Sequence, residues 1–129
     1  MEKSELILCD TNIFIEFYRG NRRIIDKLKD IGQENIALSV ITAAELLFGA
    51  LNKKELKQIW TDLNHLTIFH INTFISKRFL ELMIKYSLSH KLTIPDAIIA
   101  ATAIENNIPL FTLNIKDFRF IENLELFTL

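Results

Sequence analysis

Short apolar runs alternate with amphipathic stretches along the whole chain. Residues 6–9, Leu-Ile-Leu-Cys, form an unbroken apolar run of the kind found in a strand buried on both faces of a parallel sheet. The run ends at Asp10-Thr11-Asn12, which is placed to cap a short helix, and a turn follows at Arg19-Gly20-Asn21. Residues 22–31 carry Ile24, Ile25, Leu28 and Ile31 at helical spacing, with Gly32 as the C-cap. Residues 35–38 read as a second strand. Ser39 then precedes a helix over 40–51, with Ile41, Ala44, Leu47 and Phe48 on one face and Glu45 within it. A further amphipathic helix covers 53–64 through Leu56, Ile59, Trp60 and Leu63, and a third strand covers 66–69. The pattern Phe74, Ile75, Phe79, Leu82, Met83, Tyr86 predicts a long helix over 73–90. Ile94-Pro95-Asp96 opens the next helix, with Pro95 at its first position. Residues 97–104 are apolar nearly all round, so that helix is predicted to be buried. Asn106-Asn107 ends it. A fourth strand follows at 108–112, a loop or short helix at 113–118, and a last strand at 124–129.

Strands alternating with helices predict an α/β fold: one domain over 1–129, an α/β/α sandwich around a parallel, doubly wound sheet. No repeat, low-complexity segment or linker interrupts it. Half of the residues are hydrophobic, enough for a continuous core, and only 3 Gly and 2 Pro leave little room for long loops. The net charge of -1 gives no global basic excess, so any nucleic-acid contact must use local patches or a metal ion that reverses the sign of an acidic site. The single cysteine, Cys9, lies in an apolar run with no basic neighbour, which reads as a small buried hydrophobe rather than a catalytic thiol. The charged start Met1-Glu2-Lys3-Ser4-Glu5 does not read as a signal peptide, and no apolar stretch has the length of a membrane span. A soluble cytoplasmic protein is the expectation.

In open parallel sheets, ligands gather beyond the carboxyl ends of the strands where strand order reverses. Asp10 follows the first predicted strand, Thr112 and Asn114 follow the fourth, Glu45 lies in the helix after the second, and Asp96 lies in the first turn of the buried helix. Carboxylates brought together there would repel one another unless a cation intervened. Mg²⁺, or Mn²⁺, prefers oxygen ligands, keeps several waters, and can activate water and stabilise charge on a phosphodiester. Each residue also has a plainer role: Asp10 as an N-cap, Glu45 on a solvated helix flank, Asp96 as a helix-start acid, Asn114 and Asp117 as turn residues.

The order of these segments is what carries a family resemblance. Asp10-Thr11-Asn12, the stretch from Ser39 to Leu46 with Gly49, the stretch from Ile94 to Ala103, and the stretch from Thr112 to Phe118 together resemble the PIN domain family, and within it the VapC toxins of bacterial toxin–antitoxin pairs. The resemblance covers the whole chain. It implies that Asp10, Glu45 and Asp96 are acidic ligands, that Thr112 assists the site, and that Asn12 orients the first acid. Where many relatives carry a fourth acid this chain has Asn114, so either Asp117 supplies that carboxylate or Asn114 holds a metal-bound water. The implied activity is Mg²⁺-dependent endoribonuclease. Asp10 and Asp96 would hold one ion, and Glu45 would either ligate it through water or act as the base. A second ion would lie near Asp96 and Asn114 or Asp117. The implied partners are an RNA substrate, a VapB-like antitoxin that blocks the site and reaches operator DNA on the toxin's behalf, and a second copy in a homodimer.

Arg19, Arg22, Arg23 and Lys116 lie near the expected mouth of the site and are the candidates for phosphate contact, ahead of Lys53, Lys54, Lys57 and Arg119. His65, His70 and His90 show no zinc-ligand spacing and read as surface or strand-edge residues. Phe14, Phe17, Tyr18, Phe48 and Trp60 could face a partner, although core packing is the default for most of them. Two rival functions remain at this point. One is a binding module that keeps the fold and uses its acidic pocket to hold a partner's Arg. The other is a structure-selective DNA nuclease, for which 129 residues leave little room.

Overall fold

Residues Ile7–Cys9 form the central strand, β1, which explains why the run is apolar without interruption: Leu8 and Cys9 are both 0% exposed. The structure, a computed structural model, describes residues 5–128; the expected last strand reaches residue 129, which lies outside them. After β1 come α1 (Thr11–Tyr18), α2 (Arg22–Ile31), β2 (Ile36–Ser39), α3 (Val40–Phe48), α4 (Lys53–Leu63) and β3 (Thr67–Phe69). The second half contains α5 (Thr73–Tyr86), α6 (Ile94–Asn106), β4 (Leu110–Phe111) and β5 (Leu126–Phe127), with short 3₁₀ turns at Gln33–Asn35 and Ile115–Asp117. The strands pair in parallel in the order β3-β2-β1-β4-β5. The chain therefore builds outward from β1 to β3, then crosses back through α5 and α6 to place β4 on the other side of β1. Strand order reverses between β1 and β4, and sheets of this kind bind ligands beyond the strand ends at such a point.

The two-residue period of the strands divides the core into two layers. Leu8, Ala37 and Leu110 point to one face, where Ile75, Leu82 and Tyr86 of α5 and Ile99 and Ala100 of α6 cover them. Cys9, Leu38 and Phe111 point to the other, under Ile13, Phe14 and Ile24 of α1 and α2 and Ile59 and Leu63 of α4. This is the expected α/β/α sandwich. In α6, Ala97 to Ala103 is buried throughout, as its all-round apolar pattern predicts.

Several boundaries differ from the periodic reading because caps intervene. Helix α3 stops at Phe48, where the Gly49 N–H turns back to the Glu45 and Leu47 carbonyls, and Asn52 then caps α4 by accepting from the Glu55 N–H at 2.8 Å. Helix α5 stops at Tyr86, and residues 87–90 form a turn. Strand β2 starts one residue late, because Asn35 closes a 3₁₀ turn and bonds the Ile31 carbonyl at 3.0 Å. Pro95 is the second helical residue of α6 rather than the first, since Thr93 is the N-cap; its missing N–H belongs to the first turn either way. Strand β4 keeps only Leu110 and Phe111, because Thr112 leaves the ladder to bond Asp10.

The large apolar groups also depart from expectation. Of the five expected mainly in the core, only Phe14 is there; Phe17, Tyr18 and Trp60 stand about half exposed and Phe48 is 93% exposed. Phe74, part of the apolar pattern that predicts α5, is exposed, as are Leu80 and Ile84 of the same helix and Leu88 in the turn after it.

Candidate active site

Asp10 is the first residue past β1. Its N–H donates to the Phe111 carbonyl at 2.9 Å, which ties its backbone to the end of β4 across the switch point. Its carboxylate is 5% exposed and doubly held: Oδ1 accepts from the Thr11 N–H at 2.7 Å and Oδ2 from the Thr112 hydroxyl at 2.7 Å. It is thus the N-cap of α1, and the plainer role coexists with an exceptional environment. Behind it, the Thr112 oxygen accepts from the Asn114 N–H at 3.0 Å and from Asn12 Nδ2 at 3.4 Å, while Asn12 Oδ1 accepts from the Leu113 N–H at 3.3 Å. Thr112 therefore has one proton to give, and Asp10 receives it.

Three more carboxylates surround this one. Glu45 projects from α3 at an exposed position and its Oε1 accepts from the Thr11 hydroxyl at 2.7 Å. Asp96 lies in the first turn of α6, where its N–H reaches the capping Thr93 hydroxyl at 3.4 Å. Asp117 is exposed on the 3₁₀ turn after β4, which the fully buried Phe118 anchors to the core. Burial pushes the Asp96 carboxyl up to about 6, with the charge of Asp10 next in weight; the Thr93 bond opposes this, and Asp117 and Glu45 add to it. Burial also raises Asp10. The bonds from Thr112 and Thr11 oppose that rise, and the charges of Glu45 and Asp117 reinforce it. The four acids thus form one electrostatic cluster. Among the described residues, however, no three His, Cys, Asp or Glu side chains are grouped tightly enough to hold a metal ion by themselves.

The profile of the PIN domain family matches residues 7–122. The chain belongs to the PIN domain family. It is 30% identical to Ribonuclease VapC10 of Mycobacterium tuberculosis over 122 residues, which cover 93% of this chain and 91% of that one. A toxin–antitoxin complex from Klebsiella pneumoniae contains a chain 33% identical to this PIN domain, with a TM-score of 0.78 and coverage of 92% and 94% of the two chains. VapBC2 from Rickettsia felis, solved bound to a DNA fragment from its promoter, contains one that is 29% identical, with a TM-score of 0.77 and coverage of 95% and 97%.

The remaining predicted residues divide. Arg19 shares with Glu45 the wall of a groove of about 690 Å³ between α1, α3 and α4, and its guanidinium pairs with Glu16 at 3.0 Å. Lys116 is exposed on the turn beside Asp117. Arg22 and Arg23 are exposed at the start of α2 and are not among that groove's walls; Arg22 lies 3.9 Å from Asp26 of its own helix. Asn114 contributes its backbone N–H through Thr112, and among the described contacts its side chain caps nothing. His65, His70 and His90 are exposed, and His90 stacks on Phe120 with centroids 4.1 Å apart. Cys9 is fully buried, with its thiol pushed far up by burial and by Asp10, so it holds no reactive thiolate. Among the described residues, no helix is long and apolar enough to cross a membrane.

Two participants escaped the sequence reading: Thr11, whose hydroxyl binds Glu45, and the buried Thr42, whose hydroxyl lies 3.1 Å from that of Thr11. Adjacency to Asp10 was the available signal for Thr11. For Thr42 it was the spacing of three from Glu45, which places both on one side of α3.

Proposed function

We propose that this PIN domain is a divalent-metal-dependent endoribonuclease and the toxin of a toxin–antitoxin pair. The observation that carries the reading is the cluster of Asp10, Glu45, Asp96 and Asp117 at the switch point, where burial and mutual repulsion hold two carboxyls above their ordinary range. A fold does not retain such repulsion for stability, and a cation would relieve it. The donor set is all oxygen and fits Mg²⁺ or Mn²⁺. Because no three such side chains among the described residues are grouped tightly enough to hold an ion, it would take few carboxylates directly and complete its shell with water. Asp10 and Asp96 would hold the ion, with Asp117 as the fourth acid in place of the neutral Asn114. When bound, the ion supplies a water of lowered pKa and offsets charge on the phosphodiester. Thr112 and the Thr11 N–H keep Asp10 oriented as an acceptor. Glu45, exposed at the groove wall, is placed to take the proton of the attacking water. Arg19 and Lys116 are the cations best placed to hold flanking phosphates, with Arg22 and Arg23 further out.

The partners follow from the family together with the exposed apolar groups. The antitoxin would occupy the grooves beside α1, one lined by Phe17, Tyr18, Ile25 and Leu66 and the other by Arg19 and Glu45, which would bring it to the mouth of the site. DNA would be reached only through that antitoxin. A second copy would cover the exposed Leu80 and Ile84 of α5 and Leu88 in the turn after it. The protein would act in the cytoplasm. The test is cleavage of single-stranded RNA by purified protein in Mg²⁺ or Mn²⁺ and in chelator. Wild type should cut only with metal, and Asp10→Asn and Asp96→Asn should be folded and inactive. Full activity in either variant would overturn the assignment. Induction of the wild-type gene should arrest growth, and the neighbouring antitoxin gene should relieve the arrest.

A further inference from the structure

Two acids of the site are each held by a threonine, and the two arrangements match. Asp10 Oδ2 takes the Thr112 proton, while the Thr112 oxygen is occupied by the Asn114 and Asn12 N–H groups. On the opposite side, Glu45 Oε1 lies 2.7 Å from the Thr11 hydroxyl, and the Thr11 oxygen lies 3.1 Å from the hydroxyl of Thr42. Thr42 is 0% exposed, so its hydroxyl must find a partner inside the protein, and the Thr11 oxygen is that partner. A hydroxyl has one proton. The shorter contact is to a carboxylate, and a charge-assisted bond is the stronger one. The Thr11 proton therefore goes to Glu45, and Thr42 donates to the Thr11 oxygen. The order Thr42 to Thr11 to Glu45 is fixed by burial at one end and by charge at the other.

We propose that Thr11 is the positioning residue for Glu45, with Thr42 behind it setting the direction of its proton. Glu45 is the one carboxylate of the cluster that stands on an exposed helix flank at the end of a long side chain with several free torsions. Thr11 ties Oε1 and leaves Oε2 outside this bond. Because Thr11 follows Asp10 immediately, one dipeptide holds both sides of the centre: the Thr11 N–H fixes Asp10 and the Thr11 hydroxyl fixes Glu45. The Thr11 N–H survives every replacement except proline, so a substitution such as valine separates the two functions. The effect on rate rests on the nuclease reading above; the effect on Glu45 does not.

The test uses the full chain with Thr11→Val, which keeps the β-branched shape and removes the hydroxyl, and Thr11→Ser, which restores it. On a single-stranded oligoribonucleotide, Thr11→Val should lower kcat by about 10- to 100-fold, the scale of a misplaced catalytic group, with KM within about twofold. Thr11→Ser should stay within about threefold of wild type. In a Glu45→Gln background, Thr11→Val should cost nothing further, because the two act as one unit. Crystal structures supply a readout that needs no activity: Glu45 should swing away or lose order in Thr11→Val and keep its place in Thr11→Ser. The proposal is overturned if Glu45 is unmoved in Thr11→Val, if Thr11→Ser loses as much as Thr11→Val, or if the losses from Thr11→Val and Glu45→Gln multiply. A wild type inert on RNA would refute the nuclease reading alone, and the crystallographic comparison would still decide the role of Thr11.

Discussion

Replacing Asp96 by Asn should stabilise the metal-free protein while abolishing its activity. Asp96 rises from 3.8 to about 6 on folding, chiefly through burial and then through the charge of Asp10. Between these values the folded state keeps a proton that the unfolded state has lost. Stability therefore falls as pH rises through about 6 and levels off above it. At about 1.4 kcal/mol for each factor of ten, the full shift would represent about 3 kcal/mol. The carboxyl is only half buried, and solvent screening reduces this to about 1–2 kcal/mol. Asn removes that penalty and gives up about 0.5 kcal/mol of favourable interaction with the α6 dipole. For a chain of this size the net gain corresponds to a Tm about 3–6 °C higher near neutral pH. Thermal unfolding followed by circular dichroism in chelator, near pH 3.5 and near pH 7.5, measures it. The gain should be present at the higher pH and nearly absent at the lower, where Asp96 is largely protonated in the folded and the unfolded state alike. Divalent metal should raise the wild-type Tm and raise that of Asp96→Asn less. If Asp96→Asn is no more stable than wild type near pH 7.5, or if its advantage is the same at both pH values, the cluster does not strain the fold.

Two further outcomes are expected. Thr112→Val should destabilise the protein by about 1.5–3 kcal/mol, because it strips the buried Asp10 oxygen of its donor and the Asn114 N–H of its acceptor; Thr112→Ser should recover most of the loss in the same unfolding assay. Cys9 is 0% exposed with its thiol pushed up, so a disulfide reagent should leave the native protein untouched and titrate one thiol once denaturant is added. A thiol that reacts at native conditions would show that β1 opens.

Much of the fold is legible in periodicity, because periodicity records which side of an element is covered. The unbroken run before Asp10 marked β1 as a strand covered on both faces, and the all-round apolar residues 97–103 marked α6 as buried. Caps were legible where a single residue decides them, as at Gly32, and were misplaced where two neighbours compete, as at Thr93 and Ile94. Exposure of aromatics is not legible in the same way: Phe48 and Phe74 have core-like chemistry, but they sit on helix sides that no described element covers.

By itself, the sequence determined which residue types stand just past each strand, because strand ends and helix starts are written in local composition. It could nominate Asp10, Glu45, Asp96 and Asp117 without deciding which of them meet. That was settled when β4 crossed to the far side of β1, which put Thr112 against Asp10 from 102 positions away. The direction of the Thr11 proton was settled by tertiary structure alone. It depends on how α1 packs against α3 and on the burial of Thr42, and neither leaves a periodic trace in the chain.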